Sequence, residues 1–255
     1  MTAREIIDKL NTGAFVPPVT CDTVKCGDEN RTVSRLGVCM MPTARVLAEA
    51  KRLSLDMLIV HEPLYYNHMD AVGDDPVSRK KQKLAEESGA VIYRYHDHMH
   101  YRPCDLITEG ELSFLGLLGS VEVKPRESAI ITLSAPTTAR ALGELAKARL
   151  ELKNLRIAGS MDGEIQRIGL CFGTPAGVFE MLSRPDVDCV MVGEACEWQL
   201  CEYARDSTEM GITKSVIVMG HIGSERDGMR LLADRLTEDY PELEVTYLEC
   251  EEVYN

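Results

Sequence analysis

Residues 91–103 read VIYRYHDHMHYRP. The run over 90–95 is rich in β-branched and aromatic residues and reads as a buried strand. Directly behind it stand three of the chain's six histidines, His96, His98 and His100. The same succession recurs elsewhere. DMLIV at 56–60 precedes His61, with His68 seven residues further on, and SVIVMG at 215–220 precedes His221. Each histidine therefore follows an apolar run with strand character, and the carboxyl ends of strands are where open α/β sheets collect their ligand sites.

Segments of helical period lie between these runs. Thr2 and Glu5 have capping-box spacing and open a helix that ends near Gly13. Further helices are predicted over 44–53, 76–88, 137–150, 176–182, 194–210 and 225–237. Strands are predicted over 33–40, 56–60, 90–95, 129–133, 155–158, 166–171, 187–192, 214–219 and 244–248. This alternation defines an α/β protein. At 255 residues and 45% hydrophobic, the chain can bury one large core or two small ones.

Charge and cysteine usage exclude several classes. A formal net charge of −13 repels phosphate backbones and attracts divalent cations, so no nucleic-acid partner is expected. The opening MTAREIIDKL carries charges where a signal peptide has its apolar core. No stretch approaches the roughly 18 apolar residues of a membrane span, so a cytoplasmic protein with no membrane partner is expected. The nine cysteines show no CxxC spacing and are read as reduced, mostly buried hydrophobes rather than disulfides or a zinc site. No P-loop or GxGxxG argues for a nucleotide-driven ATPase or a dinucleotide oxidoreductase.

Carboxylates accompany the histidines. Glu62 adjoins His61, Asp97 lies inside the histidine run, and Glu225 stands four residues after His221. One such pair is commonly a surface hydrogen bond, and H-x-H-x-H alone can be a solvated continuation of its strand. Three segments in equivalent topological positions, offering nitrogen and oxygen donors without a thiolate, point instead to a site for zinc, manganese, iron or nickel.

These motifs resemble those of the Nif-three-like family, dinuclear-metal proteins often described as GTP cyclohydrolase 1 type 2. LIVHEPLYY at 58–66 is similar to its His-His-Pro-Leu-aromatic segment, and GHIGSERDGMRLLADRL at 220–236 to its closing Gly-His-x-x-(Ser/Thr)-Glu motif. YHDHMH at 95–100 aligns with the family's His-Thr-Asn-Leu-Asp, and DVDCVMVGEACEW at 186–198 with its Asp-(apolar)-Thr-Gly-(Asp/Glu) stretch. The resemblance implies two interlocked α/β lobes with a metal site in the cleft between them. Lobe 1 would comprise 1–127 and 215–255 and carry the ligand motifs, and lobe 2 would comprise 128–214. It also implies two divalent ions and a ring-shaped homohexamer.

Carried over residue by residue, the ligand set is His61, Glu62, His100, His221 and Glu225. Glu62 stands where the family has its second histidine and His100 where it has an aspartate. The exchange is reciprocal, so the number and mix of donors are kept. His96 or Glu62 would move a proton, while His98, Asp97, Arg94 and Tyr66 would orient a ligand or meet a substrate. The activity implied is that of a metal-dependent hydrolase acting on a nucleotide-like or other small molecule. The alternative is a non-catalytic, oligomeric metal-binding regulator or metal-handling protein.

Overall fold

The computed structural model describes residues 1–16, 18–122, 129–174 and 176–254. Its strands are β1 (Val24–Cys26), β2 (Arg35–Cys39), β3 (Met57–Val60), β4 (Val91–Arg94), β5 (Gly119–Glu122), β6 (Ala129–Thr137), β7 (Arg156–Gly159), β8 (Ile165–Cys171), β9 (Cys189–Val192), β10 (Ser215–Val218) and β11 (Glu244–Tyr247). They form two sheets, each in its own compact unit. The first unit is Met1–Leu106 with Gly228–Glu251, and the second is Ile107–Asp227 with Glu252–Asn255.

The first sheet has the order β1-β4-β3-β2-β11. β11, β2, β3 and β4 run parallel, and β1 closes the edge antiparallel to β4. Parallel strands covered on both faces read as continuous apolar runs, and all four residues of β3 and of β4 are buried. Helices Ala44–Arg52 and Pro76–Ser88 make the crossovers on either side of β3. The second begins at the Asp75 N-cap with Pro76 in its first turn and stops at Gly89, whose φ of 71° is the left-handed cap. Thr2 and Glu5 make the expected capping box on helix Ala3–Asn11.

The second sheet has the order β5-β6-β8-β9-β10-β7. β8, β9 and β10 are parallel, flanked by antiparallel β6 and β7, with β5 antiparallel to β6 at the edge. Ile131, Ile168, Met191 and Ile217 pack in the core on one face, and Leu182, Val190, Leu200 and Val216 in that on the other.

The α/β class holds. The division between units differs from the expected lobes in one respect that matters for function. β10 hydrogen-bonds to β9 and β7 of the second sheet, so the segment after it, with His221 and Glu225, belongs to the second unit and not with 228–251. The first unit also ends at Leu106 rather than 127, so the described residues 107–122 fall in the second unit, and so does 252–254. Among the described residues, β1, β5, helix Leu106–Leu115 and the short helical turns Asp97–His100 and Ile222–Ser224 had no expectation. The helix expected from 194 begins at Glu197 as a π turn, Glu197–Cys201, and continues as an α-helix over Glu202–Glu209.

Candidate metal centre

In the first unit the chain leaves β3 at His61 and β4 at His96, the carboxyl ends of two hydrogen-bonded neighbours. Beyond β4 the strand does not continue; Asp97–His100 is a single helical turn. Residues four apart in a helix share a face, so His96 and His100 point one way and His98 another. The His61 and His96 rings stack with centroids 4.7 Å apart, and His100 meets them edge-on at 5.0 and 4.7 Å. One potential ligand atom from each of the three lies within 4.8 Å of the others.

Hydrogen bonds at Nδ1 orient all of these rings. His61 Nδ1 is 3.1 Å from the Tyr95 carbonyl, which can only accept, so Nδ1 carries the proton and Nε2 the lone pair. His96 Nδ1 donates to Asp97 Oδ1 at 2.9 Å, and His100 Nδ1 to Asp105 Oδ2 at 2.7 Å. A ring nitrogen anchored on a carboxylate or carbonyl is the arrangement that fixes metal-binding imidazoles and raises their basicity. Burial, reinforced by His96 and His100, holds His61 well below the ordinary histidine range and keeps the ring neutral. For Asp97 burial acts in the opposite sense, but hydrogen bonds from His96, Thr20 and the Cys21 N–H outweigh it and keep the group ionised. The donor set fits a borderline divalent ion, which accepts three imidazoles and keeps further positions open.

Asp22, which carried no signal in the sequence, builds the turn. Its buried carboxylate accepts from the backbone N–H groups of His96, Asp97 and His98 at 2.8 to 2.9 Å, and from His98 Nδ1 at 2.8 Å. His98 is thereby a structural member, turned toward Asp22. Asp105 and Glu194 were likewise not foreseen as supports, although Glu194 lies in the stretch that matched the family's Gly-(Asp/Glu).

Arg94 is fully buried. Its Nε donates to the His61 carbonyl at 3.0 Å, and its Nη1 to the His68 carbonyl at 2.5 Å and to Asp70 at 3.3 Å. Asp70 also receives Lys25 at 2.9 Å, and Glu62 lies 3.6 Å from Arg94 Nη2. The guanidinium thus stitches the loop after β3 onto β4, which sets the direction of His61 and Glu62. Tyr66 is exposed, its ring over the Lys81 ammonium at 4.8 Å.

In the second unit the carboxyl ends of β8, β9 and β10 lead to Gly173, Glu194 and His221. His221 Nδ1 donates to Glu194 Oε1 at 2.7 Å, and its Nε2 lies 3.1 Å from Glu225 Oε2. An imidazole nitrogen and a carboxylate at that distance share either a proton or a cation. Close backbone approach permits the arrangement. Gly173 has φ of 64°, and a Cβ there would run into the Glu225 carboxylate. Ser224 Oγ accepts from the Gly173 N–H at 3.0 Å and donates to the His221 carbonyl at 3.0 Å. A cavity of about 710 Å³ opens beside His221, lined in part by Arg156, Glu194, Glu197, Ile222, Glu252 and Tyr254. Arg226 donates to the carbonyls of Leu150 and Glu151.

In this two-unit α/β chain the parallel strands end in imidazoles backed by carboxylates, which form groups that could hold a metal ion. The family profile of Duf34/NIF3 (NGG1p interacting factor 3) matches residues 19–253, and the chain belongs to that family. It is 23% identical over 218 residues to a GTP cyclohydrolase 1 type 2 homolog of Clostridium acetobutylicum, covering 82% of this chain and 79% of that one. A protein of the same description from Clostridium perfringens is 22% identical over 205 residues, 78% and 76% of the two chains. Among solved structures, the protein ybgI, described as of unknown function, superposes with a TM-score of 0.80 at 24% identity over the whole of both chains. A Bacillus cereus protein related to NIF3 gives 0.77 at 12% identity, covering 100% and 99%. Reduced HcgD from Methanocaldococcus jannaschii gives 0.72 at 18%, covering 98% of each chain.

Proposed function

We propose that this chain binds divalent metal and uses it to hydrolyse a small molecule. The observation that carries the reading is the convergence of His61, His96 and His100, each with its Nδ1 engaged by a carbonyl or carboxylate. This adds His96 to the ligand set read from the sequence, in place of a role as proton carrier. Glu62 in the first unit, and His221 with Glu225 in the second, are the remaining donors that the family resemblance names.

A bound ion would supply Lewis acidity to a water or a substrate oxygen. The protein's own contributions are separate from that. Asp97 and Asp105 hold two imidazoles in the tautomer that ligates, Arg94 fixes the loop that presents His61 and Glu62, and Glu194 orients His221. Glu62 is the carboxylate suited to accept a proton. The cavity beside His221 has room for a small molecule. Its lining sets Glu194, Glu197 and Glu252 against Arg156, which already pairs with Glu197 at 2.5 Å. That balance favours a neutral or cationic portion of a substrate there over a polyphosphate. The description of the clostridial relatives as GTP cyclohydrolase homologs makes nucleotides and nucleosides the first compounds to try, and a homohexamer is the proposed assembly.

The test is metal analysis of protein purified under mild conditions, followed by hydrolysis assays on nucleosides, nucleotides and phosphoesters. Wild type is compared with His100→Ala and His221→Ala. Bound metal with turnover that disappears in both variants is expected. Turnover that survives both would sink the hydrolase at this site, and stoichiometric metal with no turnover on any probe would favour the metal-handling role.

A further inference from the structure

The sequence reads the cysteines as inert, yet Cys21 does not lie among apolar side chains alone. One potential ligand atom each from Cys21, His68 and Asp97 falls within 4.8 Å of the others. The three come from separate segments of the first unit: the loop before β1, the loop after β3 and the turn after β4. We propose that Cys21, His68 and Asp97 form a separate metal position with thiolate, imidazole and carboxylate ligands, selective for a thiophilic ion such as zinc.

Each donor is held in place by bonds that do not use up its ligating capacity. Asp97 Oδ2 accepts from Thr20 Oγ1 at 2.7 Å and from the Cys21 N–H at 3.2 Å, so the carboxylate and the cysteine backbone are tied together. With His96 Nδ1 on Oδ1, three of the roughly four acceptor sites of a carboxylate are taken and one is left for a cation. Cys21 is buried, and its S–H points at Asp22 Oδ1 at 3.6 Å. On binding, the sulfur lone pair forms the bond to the ion and the thiol proton leaves to solvent, with no change of oxidation state. Asp22 keeps its backbone donors throughout. His68 has an exposed side chain on an anchored backbone, since its carbonyl receives buried Arg94. Its ring already meets His96 edge-on at 5.6 Å.

A thiolate in the set discriminates. Zinc accepts sulfur, nitrogen and oxygen together in tetrahedral geometry, whereas magnesium, calcium and manganese prefer oxygen. Three protein donors leave a fourth position for water. Because Asp97 is also the anchor of His96, an ion here withdraws charge from the carboxylate that supports the three-imidazole group. Occupancy of one position then changes affinity at the other.

Cobalt(II) titration of the metal-stripped full chain, followed by absorption, separates this position from the imidazole site. Wild type is expected to show a thiolate-to-cobalt charge-transfer band in the near ultraviolet as well as visible ligand-field bands. Cys21→Ser should lose the ultraviolet band and keep visible absorption, while His100→Ala should keep the ultraviolet band. His68→Ala changes an exposed side chain that the fold does not need. It should weaken cobalt binding in the thiolate-linked phase by roughly 10- to 100-fold or more, with unchanged circular dichroism. A wild-type titration without the ultraviolet band, or an equal band in Cys21→Ser, overturns the proposal. An ultraviolet band that persists in His100→Ala supports this position even where the imidazole site binds nothing.

Discussion

His96 and His100 stand one helical turn apart with their ring centroids 4.7 Å from each other and their planes at 74°. The relation exists because the backbone turns helical at Asp97 instead of extending β4. In a strand, alternate residues share a face, and all three histidines of the run would have pointed together. In the turn, His98 is directed to Asp22 and the two flanking rings join His61.

That separation of faces predicts unequal effects on metal binding. His96→Ala and His100→Ala are expected to weaken binding by at least the roughly 10- to 100-fold that loss of a mere supporting group costs. His98→Ala should leave affinity close to wild type and lower stability instead. Competition with a chromogenic chelator measures all three. Equal loss in His98→Ala would show that the run acts as one ligand set.

Asp22→Ala removes the acceptor of three backbone N–H groups and of the His98 ring. Hydrogen bonds to a charged group contribute about 1.5–3 kcal/mol each, and the orphaned donors are only partly rescued by water. A loss of about 3 kcal/mol or more in urea unfolding is expected, together with weaker metal binding through disorder of the turn. Asp22→Asn should fall between, since the amide oxygen still accepts from the His96 and Asp97 N–H groups but its NH2 faces the His98 N–H and ring. A variant as stable as wild type would mean that the turn holds itself.

How far the sequence revealed this arrangement depends on the range of the interactions involved. The crossover helices and buried strands carry their own period and caps; Asp75, Pro76 and Gly89 bracket one helix without reference to the rest of the chain. The histidines were legible as candidates because strand ends are local features. The turn at Asp97–His100 was not, because it is imposed by Asp22, 74 residues or more away from its backbone donors. Cys21 is free and buried as expected, but its closeness to His68 and Asp97 was hidden for the same reason: the order of the strands brings the three together. The assignment of His221 to the second unit depends on the pairing of β10 with β9 and β7, which an isolated run SVIVMG cannot disclose.

Gly173→Ala tests the cradle around Glu225. Its φ of 64° costs a side chain about 1 kcal/mol or more, and the new Cβ meets the Glu225 carboxylate. Gly177 has φ of 75°, and a Cβ there would meet nothing within 4 Å, so Gly177→Ala carries the backbone strain without the collision. Gly177→Ala should lose about 1 kcal/mol of stability and Gly173→Ala at least as much, but only Gly173→Ala should also lose metal affinity in the chelator titration. Similar affinity in the two would mean that Glu225 can move aside at no cost to binding.

Glu111 offers a pH-dependent test of the second unit's interior. It is completely buried on helix Leu106–Leu115, and its Oε1 accepts from the Asp227 N–H at 3.0 Å. Burial, then the neighbouring Asp227, raises its carboxyl well above the ordinary 4.5. The folded state therefore keeps a proton that the unfolded chain releases above about pH 4.5. With more protons bound when folded, stability falls as pH rises from that value toward the folded pKa, by up to about 1.4 kcal/mol per pH unit. The amide introduced by Glu111→Gln cannot titrate, yet its oxygen still accepts from the Asp227 N–H and its NH2 can donate toward the Asp227 carboxylate. Glu111→Gln should match wild type near pH 4.5 and become progressively more stable than it toward neutrality, as followed by thermal unfolding of metal-stripped protein. Parallel pH profiles for the two proteins would show that Glu111 is ionised in the fold and that its charge is balanced locally.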